Sequence, residues 1–259
     1  MFRFVCGFLC LGAAAAVGVA TVNADISEKN RYLGEARPLG QGKVWTWIQT
    51  DNDGVPETIG ITMTESALQG LPTEGGHGCC GGNEYSLPLP AIAVETPFQH
   101  VVINWNPQGH PPAGIYDKPH FDFHFYTMSE AERLNIKDSE ELAGDAGRAP
   151  APEYLPKGYL QAPGIVGKMG SHWVDSLAPE FNGQLFTTTF LYGSYNGRVT
   201  FVEPMLTKAF LESHPHFSQV LKQPLKSADS RFVAGAYRVE FNETTREYTI
   251  AIDRANAVK

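Results

Sequence analysis

Residues 120–125 read His-Phe-Asp-Phe-His-Phe, a strict alternation of ligating side chains with phenylalanine. Successive side chains of a strand point to opposite faces, so a strand here puts Phe121, Phe123 and Phe125 on one side and His120, Asp122 and His124 on the other. One face is then aromatic core. The other carries potential metal ligands or titrating groups. His110-Pro111-Pro112 and Tyr116 precede the strand and Tyr126 ends it, so the polar face sits in aromatic and histidine-rich surroundings.

On that face His120 and His124 are read as close enough for both rings to reach one ion. Neutral imidazole is the commonest ligand for zinc, copper and iron. His172 follows Met169-Gly170, where a missing side chain lets backbone come close, and Glu203 is read as ending a strand just before Pro204. The expected metal ligands are therefore His120, His124, His172 and Glu203. Asp122, either a further ligand or an acceptor that fixes a ring tautomer, is expected around them together with His110. The ion would be a divalent transition metal, zinc, copper or iron. Three histidines with one glutamate also occur in cupin-type barrels, but the order and spacing differ, so this is analogy only. Two other uses fit the same face: an acid/base or ligand pocket without metal, and plain hydrogen bonding on the polar side of an edge strand.

The chain opens on a targeting pattern. Arg3 is followed by an apolar run from Phe4 to Ala20 and by Val22-Asn23-Ala24, a small-x-small cleavage pattern. Residues 1–24 are read as a signal peptide rather than an anchor, because the run is short for a membrane span. The expected location is secreted or periplasmic, with no membrane span after cleavage. The formal net charge of −8 argues against nucleic acid as a partner, which would need a basic face. Cys6 and Cys10 leave with the signal, and the adjacent Cys79 and Cys80 cannot build a disulfide framework. That pair has several readings: a vicinal disulfide, free thiols, a bridge between subunits, a soft copper site with His77, or an incidental pair in a mobile glycine-rich loop.

Residues 25–42 are polar and glycine-punctuated, and read as a loosely attached arm before a single β-rich domain over 43–259. Val44–Thr50 and Val55–Thr64 form a hairpin around Asp51-Asn52-Asp53-Gly54. Phe98–Trp105 is a buried strand. Ser129 and Glu132 make a capping box that starts a helix. Asn196-Gly197 turns a second hairpin, Pro204–Leu211 reads as a helix with proline in its first turn, and Tyr237–Phe241 with Glu247–Ile252 closes the chain as a third hairpin. The expected class is mainly β: a single β-barrel or β-sandwich domain with two to four short helices.

Several runs together carry a resemblance. Val101-Val102-Ile103-Asn104-Trp105-Asn106-Pro107-Gln108-Gly109-His110-Pro111-Pro112 and Pro119-His120-Phe121-Asp122-Phe123-His124-Phe125-Tyr126 resemble a family of secreted, mainly bacterial proteins of unknown function. Met169-Gly170-Ser171-His172-Trp173-Val174-Asp175, Tyr192-Gly193 and Phe201-Val202-Glu203-Pro204-Met205 are similar to its pattern too. The family was first seen as a protein controlled by an envelope-stress sigma factor, and the similarity runs from about Val44 to Leu211. It implies a β-rich fold and ring-like homo-oligomers, and carries no assigned activity. The expected function is a secreted metal-binding protein with a His/Glu site in a β-barrel, and whether it is a metal-dependent enzyme is left open by the residues. The alternative is a non-catalytic oligomeric envelope-stress protein or a binder of a small-molecule ligand.

Overall fold

The computed structural model describes residues 30–76, 82–141 and 144–255. Residues 1–24, expected to be a signal peptide, and His77, Cys79 and Cys80 lie outside the described residues. The described residues are mainly β, with fourteen strands in two seven-stranded sheets and antiparallel pairing throughout. The first sheet holds β1 (Arg31–Leu33), β2 (Arg37–Leu39), β3 (Gly42–Thr50), β4 (Pro56–Thr64), β12 (His216–Val220), β13 (Ala234–Asn242) and β14 (Glu247–Arg254), ordered β1-β3-β4-β14-β13-β12 with β2 also on β3. The second holds β5 (Asn83–Leu87), β6 (His100–Asn106), β7 (His120–Tyr126), β8 (Tyr159–Gln161), β9 (Ser171–Asp175), β10 (Thr188–Tyr195) and β11 (Arg198–Thr207), ordered β5-β6-β7-β11-β10-β9-β8. Each sheet keeps two unpaired edges among the described residues, so the barrel alternative is corrected to an open, sandwich-like pair of sheets.

Local chemistry explains the turns. Asp51 Oδ1 accepts from the amides of Asp53 at 2.9 Å and Val55 at 2.8 Å, which folds the β3–β4 turn, and Gly54 takes φ +82°. Asn196 and Gly197 both have positive φ, the backbone a two-residue hairpin needs. Ser129 and Glu132 close the expected capping box at α1 (Glu130–Leu134). The arm expected over 25–42 carries β1 and β2, which pair along β3.

Pro204 does not start a helix. It lies inside β11 opposite Phe190, and the helix α2 (Lys208–Glu212) starts later, capped by Thr207. Pairing between β7 and β11 runs from Phe201–Tyr126 to Thr207–His120 but skips Glu203 and Pro204. Proline has no N–H to give, so the ladder opens there.

One face of each sheet meets the other in a shared core. Ile48, Ile59 and Ile61 of the first sheet join Val101, Ile103, Phe121, Phe123, Phe125, Phe190 and Leu206 of the second. Phe190 of β10 packs on Tyr237 of β13 with ring centroids 5.2 Å apart. Each fully buried phenylalanine of β7 contributes roughly 1.5–3 kcal/mol. That gain offsets the cost of burying the polar residues between them, since His120, Asp122 and His124 are also buried. They point to the opposite face of the second sheet, which long loops cover. Two smaller apolar clusters lie under those loops. One is built on Val102, Tyr126, Met169 and Phe201, the other on Tyr116, Phe186, Leu191 and Met205.

Candidate metal centre

The polar residues of that covered face divide into two groups. His124, His172 and Glu203 form one, and His110, His120 and Asp122 the other; within each, one ligand atom per residue lies within 4.8 Å of the others. The structure thus brings together three of the four expected ligands and leaves His120 with Asp122 and His110. The strand rise gives the reason. His120 and His124 are four residues apart, about 13 Å at Cα, too far for one ion. They share a face but not a site.

The first group comes from three strands. His124 is on β7, Glu203 on β11, and His172 on β9. His172 was expected in a loop but pairs opposite Gly193 of β10. Glu203 was expected at a strand end but lies mid-strand, across from Leu191. The carboxylate straddles the two rings: His124 Nε2 is 3.3 Å from Oε1 and His172 Nε2 is 3.7 Å from Oε2. His124 and Glu203 are buried, yet neither His124 nitrogen nor Glu203 Oε2 completes a hydrogen bond. Burial pulls the His124 imidazole down, but the Glu203 carboxylate outweighs it, so His124 stays above its ordinary value. Burial dominates at His172, which falls below its own despite the same carboxylate, with His124 and His110 adding to the fall. Such a set of two imidazoles and a carboxylate, buried and incompletely bonded, fits a transition-metal ion.

Aromatic packing aims these rings. Phe201 stands edge-on to His124 at 5.1 Å and to His172 at 5.3 Å between centroids. Tyr126 stacks on His124 at 5.6 Å with planes 15° apart. Gly170, at φ +107°, lets β9 pass close to the Ser194 carbonyl, where a Cβ would sit 2.3 Å from the oxygen.

In the second group His120 Nε2 lies 3.0 Å from Asp122 Oδ1, and His110 Nε2 lies 3.5 Å from Asp122 Oδ2. Burial alone would raise the Asp122 carboxyl, but the His120 and His110 rings that face it hold it well below the usual carboxylate range. Asn106 Nδ2 donates to Asp122 Oδ2 at 2.7 Å. Asn106 and its neighbour Asn104 are buried, and the sequence reading missed both. Their signal was present: Asn104 and Asn106 alternate with Ile103 and Trp105, as the histidines and aspartate of β7 alternate with phenylalanine.

Both groups open on one cavity of about 690 Å³, lined by His110, Asp122, His172 and Glu203 together with an apolar wall that includes Leu160, Val166, Met169, Val174, Leu191 and Met205. This size and lining suit a small, largely apolar molecule. No described helix is long and apolar enough to cross a membrane.

No curated protein and no solved structure matches the chain. Residues 51–105 match the model of a family described as TTHB210-like, hypothetical protein TTHB210, a stretch that covers β4, β5 and most of β6 but stops short of every histidine and carboxylate in the two groups.

Proposed function

We propose that the chain is an exported metal-binding protein whose His124, His172 and Glu203 hold a divalent transition metal, zinc, copper or iron, at the base of an apolar pocket. The observation that carries this reading is the buried Glu203 carboxylate set between two imidazole nitrogens, with His124 and Glu203 atoms left unbonded. Three protein ligands leave room for a fourth, the arrangement of metal sites that meet a substrate. When bound, the ion supplies Lewis acidity to an oxygen held there. The chain's own residues do the rest. Glu203 balances charge, Phe201 and Tyr126 fix the rings, and Leu191, Val174 and Met205 exclude water around an apolar body that bears an oxygen donor. The basic start and apolar run of residues 3–20 support export.

Elemental analysis of the dialysed protein tests the reading. Near-stoichiometric metal in the wild type and its loss in His124→Ala are expected. Metal-free, folded protein whose stability does not change on adding zinc, copper or iron overturns it. A second reading, a non-catalytic homo-oligomer, draws on Val220 and Leu225, 82% and 89% exposed along the edge strand β12 and just after it. Sedimentation distinguishes the two: a stable assembly untouched by His124→Ala and by metal removal favours the second.

A further inference from the structure

We infer that His110, His120 and Asp122 form a second transition-metal site, separate from the first, so that two ions line one cavity. The two-ion arrangement rests on the His124 centre proposed above, whereas the His110–His120–Asp122 site stands on its own geometry.

The ring tautomers carry it. His110 Nδ1 is 2.7 Å from the Pro111 carbonyl and His120 Nδ1 is 2.6 Å from the Lys118 carbonyl. A carbonyl only accepts, so each Nδ1 holds the proton and each Nε2 of a neutral ring presents a lone pair. Both of those nitrogens face the Asp122 carboxylate, at 3.5 Å and 3.0 Å. Lone pairs turned on carboxylate oxygens at this range repel unless positive charge lies between them, either a second proton on each ring or a metal ion that both rings and the carboxylate share. Asn106 Nδ2, which donates to Asp122 Oδ2, also stands 3.3 Å from His120 Nε2, in keeping with a ring nitrogen that bears no proton. Asp122 is buried and its Oδ1 completes no hydrogen bond; nor does either amide atom of the fully buried Asn104, its partner across β6 and β7. A cation held by the two Nε2 atoms and Asp122 relieves this arrangement. Ligating histidines characteristically give their other N–H to a backbone carbonyl, as both do here.

The two groups share no ligand. Asp122 and His124 are neighbours on one face of β7, about 7 Å apart at Cα. The ions are therefore adjacent and unbridged by protein, and His110, Asp122, His172 and Glu203 all line the cavity between them. The geometry suits a molecule whose oxygen donors reach both.

The test is metal stoichiometry. The full-length mature protein is loaded with Co(II) or Zn(II), dialysed, and assayed for ions per chain alongside His120→Ala, Asp122→Asn, His110→Ala and His124→Ala. Two ions are expected in the wild type, falling to one in each single variant, and to none in His120→Ala with His124→Ala. His110→Ala, on the covering loop, guards against misfolding of the strand variants, and circular dichroism checks each fold. One ion that survives His120→Ala, Asp122→Asn and His110→Ala overturns the second site and leaves the first. One ion lost in those variants but kept in His124→Ala supports the second site and overturns the first. No bound ion in folded wild-type protein overturns both.

Discussion

The ring of Phe201 occupies the space that a side chain on Gly193 would take: a Cβ on Gly193 would stand 1.9 Å from Phe201 Cε1. Gly193 lies between β9 and β11, paired with His172 on one side and Phe201 on the other. A glycine in mid-strand weakens a sheet by itself, and here it gives the aromatic ring room between the two histidines. Gly193→Ala should therefore push Phe201 into both rings. The expected cost is about 1–3 kcal/mol of stability, as for overpacking elsewhere, with a lowered metal affinity at the His124 centre. Phe201→Leu in the same background should recover part of both. Urea titration and metal titration of the two variants check it; unchanged metal affinity in Gly193→Ala would mean that Phe201 does not position the ligands.

Asn106 offers a way to weaken one group and leave the other alone. Its amide holds Asp122 Oδ2 and touches none of His124, His172 or Glu203 in the hydrogen bonds and ion pairs of the site. Partners of this kind typically change metal affinity about 10–100-fold. Asn106→Leu should weaken the ion at His120 by that factor and leave the ion at His124 within about twofold, as read by competition with a chelator. Equal losses at both would show that the two groups act as one.

Much of this fold was legible in advance, and the reason is local. The β7 alternation, the Asp51 to Gly54 turn, the Asn196-Gly197 hairpin and the Ser129 capping box each depend on a few neighbouring residues. What could not be read depends on how strands align across the sheet. His172 reaches Glu203 only because β9, β10 and β11 set Gly193 against His172 and Leu191 against Glu203. His110 reaches His120 only because the loop before β7 folds back, with the His110 amide donating to the Tyr116 carbonyl at 3.1 Å. Grouping His120 with His124 overlooked the strand rise: residues two apart are near neighbours on a face, and residues four apart are not. Pro204 misled for a related cause. A proline before a helix-like run suggests a first turn, but here the opening it makes in the ladder sits beside Glu203.

The cavity wall can be filled without touching a ligand. Val174 is half-buried on β9, lines the cavity, and belongs to neither ligand group. Val174→Trp should occupy much of the space available to an apolar guest. Binding of a fluorescent apolar probe should fall at least about tenfold, equivalent to about 1.4 kcal/mol, while metal content stays at the wild-type value. Probe binding that is unchanged would place the apolar binding surface elsewhere on the molecule.

His100 supplies a pH dependence that is separate from the proposed metal ligands. It is buried on β6, and its ring stacks on Tyr126 at 4.8 Å with planes 7° apart. Burial, and then the Arg133 guanidinium, push the imidazole down from 6.5 to about 4. The sign follows from proton counting. Between those two values the unfolded chain binds a proton at this position that the folded chain does not, so unfolding gains as pH falls. The stability is fully present above pH 6.5, is lost progressively as pH drops toward 4, and levels below that, where the folded state also protonates. The loss from this one residue reaches at most about 3 kcal/mol. His100→Phe keeps the stacked ring and removes the titration. Its stability relative to wild type should therefore rise as pH falls from neutral toward 4.5, measured by urea midpoints in the presence of chelator so that metal release does not contribute. Parallel losses in the two proteins would show that His100 protonates freely in the folded state and that its burial is not what the stacking implies.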